Sequence, residues 1–251
     1  MNIRRFLAVC LIILLSGGFV IAKNKFEKKT YIDASGKAWP YCILYPENYE
    51  HSQSYPLIVF LHGAGERGAD NQKQLEKGAD AFLDQSFRHN YPCIVVFPQC
   101  PIDQSWVNVD RINWKFDYEK PDLTGKVVEF VNELIDQQIA DPDQIYGIGL
   151  SMGAMGVLNI VQKYPDLLQS AIAICGATDL QNLKSAKVKT PLWFIHGDSD
   201  PVVPTYFSRE ACLILKDKND KTRYTEYQST MHDSWDKAFA EPDFLSWLFE
   251  E

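Results

Sequence analysis

Ser151 stands in the stretch QIYGIGLSMGAMGVL, residues 144–158, flanked at two residues' distance by Gly149 and Gly153. The pattern G-x-S-x-G suits a nucleophile on a sharp strand-to-helix turn. The strained backbone there lifts the hydroxyl above the sheet edge, and its neighbours must be small because strand and helix nearly touch. A hydroxyl is inert without a base, so a histidine and an acid that orients it must come from elsewhere in the chain. In the order nucleophile, acid, base that accompanies this turn, His51, His62 and His89 come too early, which leaves His196 and His232. His196 ends the apolar run of PLWFIHG and reads as structural. His232, in TEYQSTMHDSW, opens a loop after the last strand-like run and is the candidate base. The acid is sought in HGDSDPVVP. Asp200, deeper in the loop and fixed by Pro201, is preferred to Asp198, which reads as a turn residue, with Asp179 as an outsider.

A serine, acid and histidine in this order perform acyl transfer, whose tetrahedral intermediate needs fixed donors where negative charge develops. The N–H of Met152 is one candidate. The second is sought in LHGAGERG, residues 61–68, where Ala64 N–H is preferred and Gly63 is the reserve. Glu66 and Arg67 in that loop read as an internal salt bridge, with substrate contact as the alternative. Residues 99–121 follow a strand-like run and carry Trp106, Trp114, Phe116 and Tyr118. Ligands bind at the carboxyl ends of parallel strands, and Trp106, nearest the strand end, is the candidate substrate-binding residue, a flat face for a sugar ring or an aromatic acyl group. Trp114 and Phe116 read instead as packing down onto the domain.

These groups need a scaffold. Apolar runs at 56–61, 93–97, 145–150, 171–175 and 191–195 have the unbroken character of strands buried on both faces. Helical patterns near 72–83, 123–138, 152–164 and 206–216 alternate with them, which predicts a doubly wound, mostly parallel α/β sheet. Two early segments, near 26–33 and 39–45, flank the turn SGK and predict an antiparallel hairpin at one edge. No repeat, linker or segment for a lid domain is evident, so a single catalytic domain over residues 23–251 is expected.

With 251 residues, 46% of them apolar and 13% aromatic, the chain can bury a substantial core. Arg4 and Arg5 precede an apolar stretch from Phe6 to Ala22, the layout of a cleavable signal peptide over residues 1–22 and hence of a secreted or periplasmic protein, with an uncleaved membrane anchor as the rival. Its removal takes away two arginines and no acid, moving the net charge from −8 to −10. Such acidity argues against nucleic acid and, once the leader is cleaved, against a stable membrane partner. Five cysteines then remain, without a C-x-x-C, so neither a disulfide framework nor a metal site is indicated, and a Cys93–Cys100 bridge is the one pairing left open. No residue pattern calls for a cofactor.

Taken together, FLHGAGERG, VVFPQCP with the following SW, GIGLSMGAMG, ICGATD, FIHGDSDPVVP and MHDSWDKAF resemble the secreted bacterial α/β-hydrolases related to feruloyl esterases, acetylxylan esterases and polyhydroxybutyrate depolymerases, a group also described as predicted peptidases and phospholipases. The similarity spans nearly the whole mature chain. It implies an α/β-hydrolase fold with Ser151 as nucleophile, Asp200 as acid, His232 as base, and Ala64 with Met152 as the oxyanion hole. The activity expected is that of a serine carboxylesterase on an acylated carbohydrate or related small ester. The resemblance does not fix the acyl group; it is the lack of a lid segment, which leaves the site open, that predicts short-chain or aromatic acyl esters in preference to long-chain ones. A serine peptidase of the same fold and a non-catalytic binding protein are the alternatives.

Overall fold

The computed structural model describes residues 26–120 and 122–250; the expected leader lies outside them. The strands are β1 (Glu27–Ile32), β2 (Ala38–Leu44), β3 (Tyr55–Leu61), β4 (Ile94–Pro98), β5 (Val109–Asp110), β6 (Lys115–Phe116), β7 (Ala140–Leu150), β8 (Ser170–Ile174), β9 (Leu192–Gly197) and β10 (Arg223–Tyr227). The helices are α1 (Gln85–Asn90), α2 (Thr124–Asp136), α3 (Met152–Lys163), α4 (Leu180–Ser185), α5 (Tyr206–Lys216), α6 (Ser234–Ala238) and α7 (Trp247–Glu250). Eight strands form one sheet in the order β1-β2-β4-β3-β7-β8-β9-β10. From β4 to β10 every pairing is parallel, while β1–β2 and β2–β4 are antiparallel. This is the α/β-hydrolase fold, with the expected antiparallel hairpin at one edge.

The unbroken apolar runs reflect burial on both faces. Along β3, Leu57, Val59 and Leu61 enter one core while Ile58 and Phe60 enter the other; β9 divides in the same way, with Leu192 and Phe194 against Trp193 and Ile195. The first core is closed by α2, α3 and α5, through residues such as Val127, Met155 and Phe207. The second is closed by Phe82 and Phe87 and by the C-terminal Phe244, Trp247 and Leu248. Among the described residues no helix is long and apolar enough to cross a membrane.

The helix expected near 72–83 is instead two short 3₁₀ turns, Lys73–Leu75 and Ala79–Leu83. Gly78 between them has φ +80°, and a Cβ there would lie 2.7 Å from Phe239 and 2.8 Å from Phe60, so the chain bends against the core where a regular helix would not fit. The following helix α1, missing from the sequence-based pattern, starts at Asp84, whose carboxylate accepts the Phe87 N–H at 2.8 Å.

The close approach that the G-x-S-x-G spacing implies is present. A Cβ on Gly153 would sit 1.8 Å from the Leu61 carbonyl oxygen at the end of β3. Gly153→Ala is therefore expected to lower stability by about 3 kcal/mol or more, roughly 10 °C in Tm for a chain of this size. Gly65→Ala, where a Cβ meets nothing within 4 Å, is the matched control. Equal melting temperatures for the two variants in calorimetry would show that α3 does not seat on β3 in this way.

Candidate active site

Ser151 lies between β7 and α3 with φ 52° and ψ −115°, a conformation that L-residues rarely adopt. It is held there by its own N–H, which donates to Ile174 O at 2.8 Å, and by its carbonyl, which accepts from Met155 N at 3.2 Å. Its Oγ stands 2.8 Å from Nε2 of His232, on the loop after β10. Nδ1 of the same ring stands 2.7 Å from Oδ2 of Asp200, on the loop after β9. Facing a carboxylate, Nδ1 carries the proton, which leaves Nε2 free to accept from the serine hydroxyl.

Asp200, and not Asp198, reaches the histidine. The Asp200 carboxylate is wholly buried, whereas Asp198 is exposed and accepts from the hydroxyl of Ser199 at 2.8 Å. Asp198 helps through its backbone: its N–H bonds Tyr227 O at 3.0 Å, and the next N–H, that of Ser199, bonds Thr230 O at 3.1 Å, tying the acid loop to the histidine loop. Asp179 caps α4, accepting from the N–H groups of Gln181 and Asn182.

Burial opposes a charge on Asp200, but hydrogen bonds from His196, His232 and the N–H groups of Val203 and Val202 outweigh it and hold the carboxyl well below the usual carboxylate range. His196, expected to be merely structural, thus touches the acid itself, with Nε2 3.1 Å from Oδ2. Nε2 also faces Val203 O at 3.1 Å, so it carries the proton, and Nδ1 meets the Ser208 hydroxyl at 2.7 Å. The i,i+4 spacing of His196 and Asp200 across a strand end is the sequence signal that could have revealed this contact.

Ala64 opens a 3₁₀ turn and Met152 opens α3, positions whose N–H groups have no partner within their own helix. Both residues line a cleft of about 990 Å³ together with Arg67, Phe116, Tyr118 and Met155. The loop carrying Ala64 is pinned from below by His62. Its Nε2 accepts the Cys100 N–H at 2.9 Å, and its Nδ1 donates to Gly63 O at 2.6 Å. Burial pushes the His62 imidazole down to about 4, so the ring that locks this loop is neutral.

Trp106 does not face the cleft. Its ring is fully buried, its Nε1 donates to His62 O at 2.9 Å, and it packs edge-on against Trp39 and His62. A side chain without exposed surface cannot stack on a substrate, so the ligand role expected for it is corrected to that of an anchor for the loop bearing Ala64. Of the other aromatic residues, Trp114 and Phe116 both pack against the first core as expected, Trp114 on Phe207 with ring centroids 5.1 Å apart, while Phe116 also lies nearly parallel to Tyr118, 16° apart, on the cleft wall. The expected Glu66–Arg67 salt bridge is absent. Glu66 turns inward, where one carboxylate oxygen is buried without a hydrogen-bond partner and burial raises its pKa. Arg67 turns to the cleft and donates to two carbonyls, Ala64 O at 2.9 Å and Gln104 O at 3.2 Å.

Cys42, Cys93, Cys100, Cys175 and Cys212 are free and buried, so Cys93 and Cys100 do not form the bridge left open by the sequence. Cys175, Asp200 and His232 bring donor atoms within 4.8 Å of one another, as a small metal site would. Asp200 and His232 already satisfy each other, however, and burial pushes the thiol up, away from the thiolate that binds metal.

Residues 48–245 match the model of the phospholipase/carboxylesterase family. The chain belongs to that family. It is a carboxylic ester hydrolase. It is 27% identical over 192 residues to acyl-protein thioesterase 1 of Saccharomyces cerevisiae, covering 66% of this chain and 80% of that one. A thermostable esterase of known structure is 36% identical with a TM-score of 0.81 over 91% of this chain, which spans 64% of that esterase's length. A ferulic acid esterase from Anaeromyces mucronatus, solved with ferulic acid, is 17% identical with a TM-score of 0.64 over 90% of this chain and 88% of that one, a likeness of fold alone.

Two measurements check how this esterase holds its site. Trp106→Ala removes a fully buried ring and its hydrogen bond and should cost about 3–5 kcal/mol in denaturant unfolding; a loss below about 1 kcal/mol would return Trp106 to the surface. His62 binds a proton more readily unfolded than folded, so its contribution is complete above about pH 6.5 and is lost as pH falls toward 4, by at most about 3 kcal/mol. The stability of His62→Asn should accordingly fall less steeply than wild type over that window, and parallel curves would remove His62 from the account.

Proposed function

We propose that this esterase hydrolyses short-chain or aromatic acyl esters, among them acyl groups carried by carbohydrate, through an acyl-enzyme on Ser151. The observation that carries the reading is the continuous hydrogen-bonded series from Ser151 through His232 to the buried Asp200, set on a strained turn beside an open cleft. In this reading His232 takes the serine proton as Oγ attacks the ester carbonyl, and Asp200 stabilises the imidazolium that results. The N–H groups of Met152 and Ala64 receive the developing oxyanion. His232 then protonates the leaving alcohol, and a water activated by the same ring releases the acid. Phe116 and Tyr118, in place of Trp106, offer the flat surface that an aromatic acyl group or a sugar ring would meet.

Ser151→Ala should keep the wild-type melting temperature and lose p-nitrophenyl acetate hydrolysis by about three orders of magnitude or more. A fluorophosphonate probe should mark Ser151 in the wild type; activity that survives the substitution would remove the mechanism. Across acyl esters, acetate, butyrate and feruloyl substrates should be cleaved at least about tenfold faster than palmitate, and Tyr118→Ala should raise KM for the feruloyl ester more than for acetate. Faster turnover of palmitate, or of a peptide amide, would point to a different substrate class.

A further inference from the structure

We infer that Arg67 forms an anion subsite in this cleft and that the preferred substrates include esters bearing a carboxylate close to the scissile carbonyl. The inference rests on the serine-esterase reading above and names a substrate class for it. The chain holds 33 acidic against 25 basic residues, yet no carboxylate pairs with Arg67 among the described residues, although the side chain is partly exposed and lines the cleft. Its two protein partners are neutral carbonyl oxygens, so its charge is uncompensated at the site. Those bonds use two of the five guanidinium donors and leave three for a ligand. They also fix the group in place, since Ala64 O belongs to the residue whose N–H is proposed to bind the oxyanion, and Ala64 lines the same cleft. The anion subsite is thus adjacent to the reacting carbonyl.

The rest of the wall does not cancel this charge. The cleft is lined by four cationic and three carboxylate side chains, a local excess of one positive charge in a chain of net charge −8. Of the three carboxylates, Asp117 pairs with Lys120 at 3.1 Å and Asp110 is bonded within its own turn, to Ile112 N and Asn113 Nδ2, both at 2.9 Å. A planar carboxylate matches the guanidinium fork, and a pre-positioned arginine loses little side-chain freedom on binding it.

The test compares isosteric ester pairs that differ only as carboxylate against carboxamide. On the acyl side these are the mono-p-nitrophenyl ester of glutarate and its carboxamide analogue; on the alcohol side, 4-acetoxybenzoate and 4-acetoxybenzamide. The wild type should favour the carboxylate in at least one pair by kcat/KM, and Arg67→Gln should lower that carboxylate-to-carboxamide ratio roughly ten- to a hundredfold, the range commanded by a charge-assisted hydrogen bond. The wild-type ratio should also decline with added salt, which a role confined to bracing the loop would not produce. Arg67→Lys, which keeps the charge without the fork, should retain part of the preference and serves if Arg67→Gln does not fold. Equal ratios in wild type and variant, or a variant equally slow on both members of each pair, would overturn the subsite and leave Arg67 as a brace for the Ala64 loop. If wild type and Ser151→Ala are alike inactive on all four esters, the serine-esterase reading itself fails, and the subsite with it.

Discussion

Helix α3 runs so close to the end of β3 that the Leu61 carbonyl occupies the place of a side chain at Gly153, and the geometry of the site follows from that contact. With α3 seated there, β7 must turn within a single residue, which puts Ser151 at φ 52° with its hydroxyl above the sheet. The contact also brings the start of α3, and with it Met152 N–H, beside the loop that leaves β3, where Ala64 lies. The proposed nucleophile and two candidate oxyanion donors are therefore set by one backbone approach. The strain at Ser151 is held by hydrogen bonds to two separate elements, β8 and α3, together with close packing on both faces of the sheet.

Charge is managed in a complementary way on the next strands. The Asp200 side chain is out of reach of water, a position that would favour the neutral acid, yet it receives two histidine N–H groups and two backbone N–H groups. His196 extends this network to Ser208 on α5. The imidazole of His232 therefore meets a carboxylate whose orientation is set from behind, so it needs little rearrangement as its own charge changes.

Much of this was legible in the sequence, and the portions that were not have physical reasons. Strands buried on both faces leave unbroken apolar runs, so the parallel sheet and its order of strand and helix could be read directly, as could the turn at Ser151, whose glycines are steric necessities. The apolar spacing around Gly78 predicts a helix and does not reveal that Phe60 and Phe239 block the path, so 3₁₀ turns form instead. Trp106 illustrates a related limit. An aromatic residue beside a strand end suits a ligand face or a buried anchor equally well, and only the packing of Trp39 and His62 around it decides. Opposite charge and adjacency predict a Glu66–Arg67 pair, but neighbouring residues on a tight turn point in different directions, here one into the core and one into the cleft.

The three groups that meet at Ser151 come from the middle of the sheet and from its far edge. The serine follows β7, a central strand, whereas His232 lies beyond β10, an outermost strand that is only half buried along its length. Ser151 and His232 are 81 residues apart in sequence, so no local segment can assemble the site. Fraying of that one edge would separate His232 from Ser151 while the remaining strands stayed paired. A half-buried edge strand thus carries the proposed base, and activity is expected to fall on heating ahead of global unfolding.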